Sequence, residues 1–541
     1  MQENLKPQRY RVPREDRSLL SIPARDLTTG LVEENRLLLE KSRLSLHGRT
    51  LTSLRTDARR EAIRLATCYT SGLLQTPLPE VDATSCIVGG HQPELFHVGV
   101  WAKNFTLAGI ARSCQSTAIN LVIDNDTLNK TSLRIPAGTG ERLRIDRVLF
   151  DTSRPALPWE EANVLDQNLF RFFGQTVSCQ LNAKWGYDPL IAEAWKAAVN
   201  QLSVSTRLRD CLTAMRAHVE RSWGLCNLEL PMSQLCETEP FLWFVTHLLS
   251  RLPELHETYN KAVAEYRLEH RLRNRMQPVP DLDRRGEWFE APFWIWQRGD
   301  TQRGRLFARQ VGSICELRSQ SEVVARLPLS EQGSLDEAVR QLKDFPARGL
   351  RLRTRALTTT LFTRLFLADL FVHGIGGAKY DAMTDWICER FFGLKAPSFL
   401  TVSATLYLPL GDPFDGSEST LRQINHKLRD LTYNPDRHLK HLPETAALIA
   451  EKNAILASAT ALRQSKTIRG RLTQDQHRRL TEIRLTLQKQ ADAVRTDYQS
   501  TRAKILAQMS ANAVVRNREY SFALYPETQL RQFLTPLSNP E

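Results

Sequence analysis

The chain has 541 residues, of which 42% are hydrophobic, 8% aromatic and 25% charged, and its formal net charge is +13. This length and composition predict two or three globular domains rather than a disordered chain. Because no uncharged apolar run approaches the roughly 18 residues that a membrane span needs, we expect a soluble protein with no membrane partner. The positive charge favours anionic partners, although 73 Lys and Arg against 60 Asp and Glu also fits an ordinary arginine-rich surface.

The nine cysteines are scattered along the chain and form no CxxC pair. Such a set is typical of free thiols in a reducing compartment. The first ten residues are polar and lack the apolar segment of a secretory signal. We therefore predict a cytoplasmic protein.

Four regions follow in chain order. Residues 1–84 are predicted to form an extended arm and helices ahead of the first strand. In residues 85–415 strands alternate with helices, which predicts an α/β core around a parallel sheet, with helical and aromatic-rich β insertions at about 159–350. Residues 416–512 are predicted to be a helical hairpin, and the tail 513–541 is apolar enough to pack back on the core.

The helical hairpin is predicted from its apolar spacing. From Leu480 to Met509 apolar residues recur every three or four positions, and Leu448, Ile455 and Leu462 are seven apart, which indicates a heptad seam. Two such helices joined near Thr467–Gly470 would form an antiparallel coiled coil. Its basic face is most simply a solvated surface.

The first candidate site is the loop that follows a strand predicted at 86–89. Its glycines would let a ligand approach the backbone, and the next helix would offer free N–H groups to an anion. His91 and His97 are each a candidate acid or base, or else hydrogen-bond within the loop to shape it. Their spacing matches no common metal motif, so we predict no metal site. The other candidate binding residues here are Gly90, Gln92, Glu94, Lys103 and Asn104.

The second loop, Asp124-Asn125-Asp126, follows a strand predicted at 118–123. Two carboxylates at this spacing can hold an amine, a pair of ribose hydroxyls or Mg²⁺, and the alternative is that they cap a turn. Because ligands bind at the carboxyl ends of parallel strands, we expect this loop to face the first one. Asp124 and Asp126 are therefore candidate catalytic residues, and Asn125 is a candidate binding residue.

The third loop follows the apolar run 367–373 and precedes a helix predicted at 378–392. It matches neither the GxGxxG fingerprint nor a Walker A loop. A short glycine-rich turn before a helix suits a carboxylate or phosphate, and a simple tight turn is an equally good interpretation. The candidate binding residues are His373, Gly374, Gly376, Gly377, Lys379, Tyr380 and Asp381, with Arg353 upstream as an anion-binding cation.

These loops resemble the family of the bacillithiol-biosynthesis cysteine-adding enzyme, BshC. Gly90-His-Gln-Pro-Glu-Leu-Phe-His-Val-Gly99 is similar to the family's Gly-Gln-Gln-Pro-x-Leu-Phe-x-Gly segment, with His91 in place of the first Gln. Asp124-Asn-Asp126 stands where the family has a Glu-Asp-His-Asp loop, which is shorter here and lacks its His. Phe371-Val-His-Gly-Ile-Gly-Gly377, with Tyr380-Asp381, resembles a diverged form of the family's Tyr-Val-Gly-Gly-Pro-x-Glu segment.

The resemblance implies a Rossmann-like parallel sheet, related to class I nucleotidyl-transferase folds, with helical insertions and a C-terminal antiparallel coiled coil. It implies an enzyme that attaches cysteine to the amine of glucosaminyl-malate. Activation of the carboxyl by a nucleotide is chemically reasonable, so ATP and ADP are the candidate cofactors. On this interpretation Asp124 or Asp126 holds or deprotonates the amine. His91 and the helix end would stabilise negative charge on an activated carboxyl.

Two alternatives stay open at this point. The chain could be a catalytically altered relative that acts in binding or assembly, as a homodimer through its coiled coil. It could instead be a basic nucleic-acid-associated protein, which no recognisable binding motif supports.

Overall fold

The computed structural model describes residues 10–79, 84–320, 322–330, 334–439, 442–464 and 472–539. The chain divides into two compact units. The core unit comprises Met1–Ile135, Arg147–Pro409 and Arg518–Glu541, and the helical unit comprises Pro136–Asp146 and Leu410–Asn517. Residues near both ends of the chain therefore belong to the same unit as the α/β region.

The strands are β1 (Ser18–Ile22), β2 (Ser45–Leu46), β3 (Arg49–Thr50), β4 (Cys86–His91), β5 (Thr117–Val122), β6 (Thr127–Leu128), β7 (Ser132–Ala137), β8 (Arg144–Leu149), β9 (Leu157–Pro158), β10 (Leu228–Pro231), β11 (Arg284–Arg285), β12 (Trp288–Gln297), β13 (Gly304–Val311), β14 (Ile314–Ser319), β15 (Glu322–Pro328), β16 (Leu350–Thr354), β17 (Leu370–His373) and β18 (Phe399–Thr405).

The α-helices are α1 (Thr28–Glu40), α2 (Leu51–Leu74), α3 (Val98–Ser113), α4 (Gln167–Trp185), α5 (Ile191–Gln201), α6 (Leu208–Ser222), α7 (Met232–Leu235), α8 (Glu239–Ser250), α9 (Leu252–Glu269), α10 (Asp336–Lys343), α11 (Ala356–Phe362), α12 (Ile375–Phe391), α13 (Glu418–Tyr433), α14 (Ala446–Gln464), α15 (Gln474–Gln490), α16 (Asp492–Val515) and α17 (Glu527–Leu534). A π-helical turn, Thr363–Leu367, follows α11.

The main sheet makes this a mixed α/β chain, as the alternation of elements predicts. Among the described residues its strand order is β1-β18-β17-β4-β5-β10. The pairs among β18, β17, β4, β5 and β10 are parallel, and only β1 runs antiparallel. The parallel strands are short apolar runs buried on both faces, which is typical of a sheet covered by helices.

The strand order reverses direction between β4 and β17. After β4 the chain continues through α3 to β5 on one side, whereas after β17 it continues through α12 to β18 on the other side. In open α/β sheets such a reversal leaves a crevice at the carboxyl ends of the two strands, and ligands bind there. The fold therefore places the loops after β4 and β17 beside a natural binding position.

A second sheet, in the predicted insertion region, is antiparallel and contains β11 to β16. The aromatic strand β12 forms an antiparallel hairpin with β13. Phe293 and Ile295 of β12 point into the large apolar core of the unit, whereas Trp294 lies on the opposite face. Because side chains alternate along a strand, this hairpin contributes both to the core and to the wall of a cavity.

The segment predicted as an N-terminal arm ends in the sheet. Ser18–Ile22 pairs with β18 as an edge strand, and residues 1–9 of the arm lie outside the described residues. In the tail, Phe522, Leu524 and Leu530 are buried within the core unit.

The helical unit has a small apolar cluster where the seam was predicted. Ile483, Leu487 and Ala491 are buried there, and Leu448 and Ile455 pack against them. The helix predicted along the seam from Leu480 to Met509 is instead two helices, α15 and α16, which meet at Ala491. The predicted junction at Thr467–Gly470 lies outside the described residues.

Two further observations concern the whole described chain. All nine cysteines are free thiols. Within the described ranges no helix combines the length and the apolar character needed to cross a membrane.

Candidate functional site

A cavity of about 900 Å³ lies in the core unit at the carboxyl ends of β4, β5 and β17. The three predicted loops contribute to one wall, and elements around β7, β12, β16 and α11 contribute to the others. The predicted site residues that line it are Gly90, His91, Gln92, Glu94, His97, Lys103, Asn125, Asp126, His373, Gly374, Gly376, Gly377 and Tyr380.

Asp124, Asn104, Arg353, Lys379 and Asp381 do not line this cavity. Asp124 is fully buried and forms an ion pair with Arg209. It also accepts hydrogen bonds from the backbone N–H and the hydroxyl of Ser233 at 2.8 and 2.6 Å. The carboxylate therefore fastens its loop to the adjacent helices instead of facing the cavity.

Arg353 lies on the far side of the wall formed by β16. Its guanidinium binds both oxygens of Glu160, at 2.9 and 2.8 Å, and Glu237 at 2.9 Å. It lines a separate polar cavity of about 280 Å³. Arg355, two positions further on, lines the main cavity instead. The prediction of an anion-binding arginine at Arg353 was therefore wrong by two residues. Lys379 is exposed on α12.

Both ring nitrogens of His91 are occupied by protein groups. Nδ1 lies 3.0 Å from the carbonyl oxygen of Gln92, and Nε2 lies 3.2 Å from Oδ1 of Asn104. Asn104 is oriented in turn by Glu220, whose carboxylate accepts from its amide at 2.7 Å. Burial and the nearby Arg216 cation lower the pKa of His91 well below its usual value. This arrangement suits a residue that shapes the loop.

His97 caps the helix that follows. Its Nδ1 accepts a hydrogen bond from the backbone N–H of Gly99 at 3.1 Å, which satisfies a donor at the start of α3. Burial lowers the pKa of His97 to about 4. The helix α3 therefore begins at Val98, directly after this cap.

Asp126 joins the second loop to the first loop and to the β insertion. Its Oδ2 accepts from the Gln92 amide at 2.9 Å, and its Oδ1 lies 3.2 Å from the Arg303 guanidinium. Arg303 and Arg355 both lie over the Trp294 ring, at 4.6 and 4.7 Å from its centre. This group forms a polar and aromatic wall opposite the strand ends.

Lys103, on α3, reaches the position where the strand order reverses. Its side chain is buried, with 6% of the residue exposed, and Nζ donates to the carbonyl oxygen of Gly90 at 2.7 Å. No carboxylate pairs with this ammonium group among the described residues. Burial, together with Arg216, lowers the pKa of Lys103 to about 8. At neutral pH the cavity therefore contains a buried cation without a counter-charge.

The third loop is shorter than predicted, because α12 begins at Ile375 and not at 378. Gly376 and Gly377 therefore belong to the first turn of the helix, and Gly374 is its N-cap, with no side chain capping it. The free N–H groups of such a turn and the positive end of the helix dipole favour an anion. Lys103 lies beside this turn, since a Cβ on Gly374 would be 3.9 Å from Cδ of Lys103.

His373 lies at the end of β17 and is paired with Asp381, in the second turn of α12. His373 Nε2 lies 2.9 Å from Asp381 Oδ2, which also accepts from Arg364 at 2.6 Å. Burial lowers the pKa of His373, and Asp381 opposes that effect. Although burial alone would raise it, Arg364 and His373 hold the pKa of Asp381 well below its usual range.

Sequence reasoning missed much of the cavity wall. Its charged lining comprises six cations and three acids: Lys103, Lys130, Arg134, Arg147, Arg303 and Arg355, with Glu94, Asp126 and Glu519. The aromatic residues Tyr259 and Trp294 also contribute. Of these, the sequence analysis named Lys103, Glu94 and Asp126, and it placed the anion-binding arginine at Arg353, two positions before Arg355. It missed Lys130, Arg134, Arg147, Arg303 and Glu519, which no motif in the sequence connects with the three loops. The excess of cations makes the cavity suited to an anionic ligand.

Within the described residues, no cluster of three or more His, Cys, Asp or Glu side chains could hold a metal ion. No protein-family model matches the chain, and a comparison with curated proteins finds no significant match.

Proposed function

We propose that this protein is an enzyme that acts on a small anionic substrate in the cavity at the strand ends. The observation that carries the proposal is the buried Lys103 ammonium beside the uncapped first turn of α12. Burying a charge without a partner is costly, so a carboxylate or phosphate that enters the cavity gains both a counter-charge and free N–H donors.

The reaction we propose joins an amino acid, plausibly cysteine, to the amine of a small anionic sugar-type acceptor such as glucosaminyl-malate. The segments that resemble the BshC family contribute to one wall of the cavity, which supports this choice. Lys103 and the N–H groups of Gly376 and Gly377 would stabilise negative charge that develops on an activated carboxyl. We include activation by a nucleotide in the proposal, so ATP and ADP are the cofactors to test.

The proposal extends to the fold and the assembly. The reversal of strand order beside the cavity supports a Rossmann-like sheet. The apolar cluster shared by α14 and α15, with an ion pair between Arg479 and Glu451 at 2.7 Å, supports a coiled-coil hairpin. We propose a homodimer through this hairpin, and light scattering of the full chain would test it. A strictly monomeric protein would exclude the dimer.

A catalytically altered binding protein is the second candidate. The position of Asp124 favours a binding protein, because this carboxylate is paired with Arg209 and hydrogen-bonded to Ser233, so it is not available to an acceptor amine. Nucleic-acid binding has weaker support, from the positive net charge alone.

The test is a thermal-shift screen of the full chain against cysteine, glucosaminyl-malate, ATP and ADP, followed by mass spectrometry of the incubated mixture. Stabilisation with formation of a cysteine conjugate would support the enzyme. Stabilisation without any product would favour the binding protein. If none of the four ligands binds, and binding to RNA or DNA falls steeply with salt, the proposed substrate class is wrong.

A further inference from the structure

We propose that His373 is the general base of this site, and that Asp381 and Arg364 are the positioning residues that keep its Nδ1 nitrogen free of a proton. This inference rests on the proposed enzymatic function, because a base needs a substrate to deprotonate. It assigns proton transfer to a residue for which the sequence suggested binding only.

The geometry of the pair fixes which ring nitrogen carries the hydrogen. An ionised carboxylate can only accept, and the Arg364 guanidinium, 2.6 Å from Asp381 Oδ2, keeps Asp381 ionised. His373 Nε2, 2.9 Å from the same oxygen, must therefore be the donor. In a neutral imidazole the other nitrogen, Nδ1, then has a free lone pair.

The free nitrogen lies at the first turn of α12. A Cβ added to Gly377 would be 2.5 Å from Nδ1, which is closer than atoms can approach, so only glycine leaves room for the ring. Both residues line the cavity. Among the described residues no protein group forms a hydrogen bond with Nδ1. A substrate N–H, O–H or S–H group bound at the α12 turn would therefore meet an unoccupied acceptor.

Arg364 reaches the pair because of an irregular turn. It belongs to the π-helical turn Thr363–Leu367, a conformation that is rare and often found at functional sites. The arginine is 3% exposed and also binds Asp385, at 2.7 Å, and the carbonyl oxygen of Pro397. Such an arginine, spread over two carboxylates, holds Asp381 firmly as an anion.

The charged groups around His373 come from three elements. Burial has the largest effect and lowers the pKa of His373; Asp381 on α12 favours the protonated ring, whereas Arg364 on the π-turn and Lys103 on α3 disfavour it. Phe371 and Phe399 contact the ring at its edges, 4.4 and 5.0 Å between ring centres. The resting imidazole is therefore neutral at pH 7, which is the state that a base requires.

In the proposed step the N–H, O–H or S–H bond of the substrate breaks, its electron pair stays on the substrate atom, and a new N–H bond forms at Nδ1. The Nε2–H bond remains directed at Asp381, whose negative charge balances the imidazolium. The proton leaves Nδ1 for the departing group or for solvent when the product is released. His91 does not suit this role, because both of its nitrogens already contact protein acceptors.

The first test requires no substrate. Nitrogen NMR of the full chain labelled at histidine, with the His373 signals assigned by their loss in His373→Gln, reports which ring nitrogen is protonated. We expect a proton on Nε2 and none on Nδ1 at pH 7. A proton on Nδ1 in the wild-type protein would overturn the proposal, and this result does not depend on the stability of any variant.

Two glycines provide a matched pair. Gly377→Ala should displace the His373 ring and change its signals. Gly376→Ala should leave them unchanged, because a Cβ at that position meets nothing within 4 Å. If both variants leave the His373 signals unchanged, the ring does not lie where the proposal requires.

The role of Arg364 is tested by titration. Arg364→Met removes a cation that disfavours protonation, so the pKa of His373 should rise, and Arg364→Lys should restore most of the wild-type value. If a product assay is established, the acidic limb of kcat/KM should move to higher pH in Arg364→Met. An unmoved titration would overturn the role of Arg364. If none of the four ligands of the thermal-shift screen binds but His373 carries its proton on Nε2, the proposed function is wrong while the proposed tautomer of His373 is confirmed.

Discussion

The ammonium group of Lys103 donates to the carbonyl oxygen of Gly90 at 2.7 Å, beside the position where the strand order of the main sheet reverses. The lysine comes from α3 and the carbonyl from the end of β4, so the contact is fixed by regular elements on both sides. Since an ammonium group has three donors, it can bind a ligand oxygen without breaking this contact.

Replacing Lys103 by Met should weaken binding of the anionic substrate. A hydrogen bond to a charged group contributes about 1.5–3 kcal/mol, so we expect Kd to rise about 10- to 100-fold. Calorimetric titration with glucosaminyl-malate measures it. Lys395→Met is the control, because Lys395 is exposed on the surface and lies outside the cavity. If both variants bind glucosaminyl-malate with equal affinity, Lys103 does not contact the ligand.

Anion binding should weaken as the pH rises above about 8, where Lys103 loses its proton. Because a bound anion favours the ammonium form, Kd should rise up to about tenfold per pH unit above the pKa of the free protein. Below that pKa the affinity should not depend on this group. The measurement is a series of titrations from pH 7 to pH 9.5. The Lys103→Met variant should show no such rise, and a rise of the same size in that variant would assign it to another group.

The two carboxylates of the acidic loop should respond differently to the same substitution. Asp124→Asn removes the buried carboxylate that pairs with Arg209 and leaves that guanidinium with Asp210 alone as its acidic partner, so we expect a loss of about 3 kcal/mol in the free energy of unfolding. Asp126 is 41% exposed, so Asp126→Asn should cost less than about 1 kcal/mol while it loosens the Gln92 and Arg303 contacts. Urea unfolding curves compare the two. A stability loss for Asp126→Asn that matches or exceeds the loss for Asp124→Asn would contradict the assignment.

Stability should fall in acid through His97. Its pKa in the folded protein, about 4, lies below that of an unfolded chain, near 6.5. The neutral ring therefore contributes stability that is present above pH 6.5 and is lost as the pH falls towards 4. His97→Asn keeps an acceptor at the helix cap but does not titrate. Unfolding measured between pH 7 and pH 5 should thus show a smaller decline in this variant. Identical declines would exclude His97 as the titrating group.

Local patterns predicted β4 and β5 well, because each is an apolar run between polar loops, whereas the parallel strand β10 was not predicted. The strands predicted at 86–89 and 118–123 correspond to Cys86–His91 and Thr117–Val122. The apolar run 367–373 marked the next strand less accurately. Its first residue belongs to the π-turn and only Leu370–His373 is strand, because apolar residues suit both conformations when they are buried.

Which polar residues face the cavity and which bind other parts of the protein could not be predicted, since their partners are distant in sequence. Asp124 is withdrawn from the cavity by Arg209, 85 positions away, and Arg353 by Glu160, 193 positions away. Local spacing gives Asp124 and Asp126 the same chemistry, as it does Arg353 and Arg355. Only the tertiary contacts separate the residue that binds the framework from the one that faces the cavity.

The most direct test of the central claim is a crystal structure of the full chain with glucosaminyl-malate bound. We expect a carboxylate within hydrogen-bonding distance of Lys103 Nζ and of the N–H groups at Gly376 and Gly377. A ligand bound elsewhere, with this end of the cavity holding only water, would contradict the account.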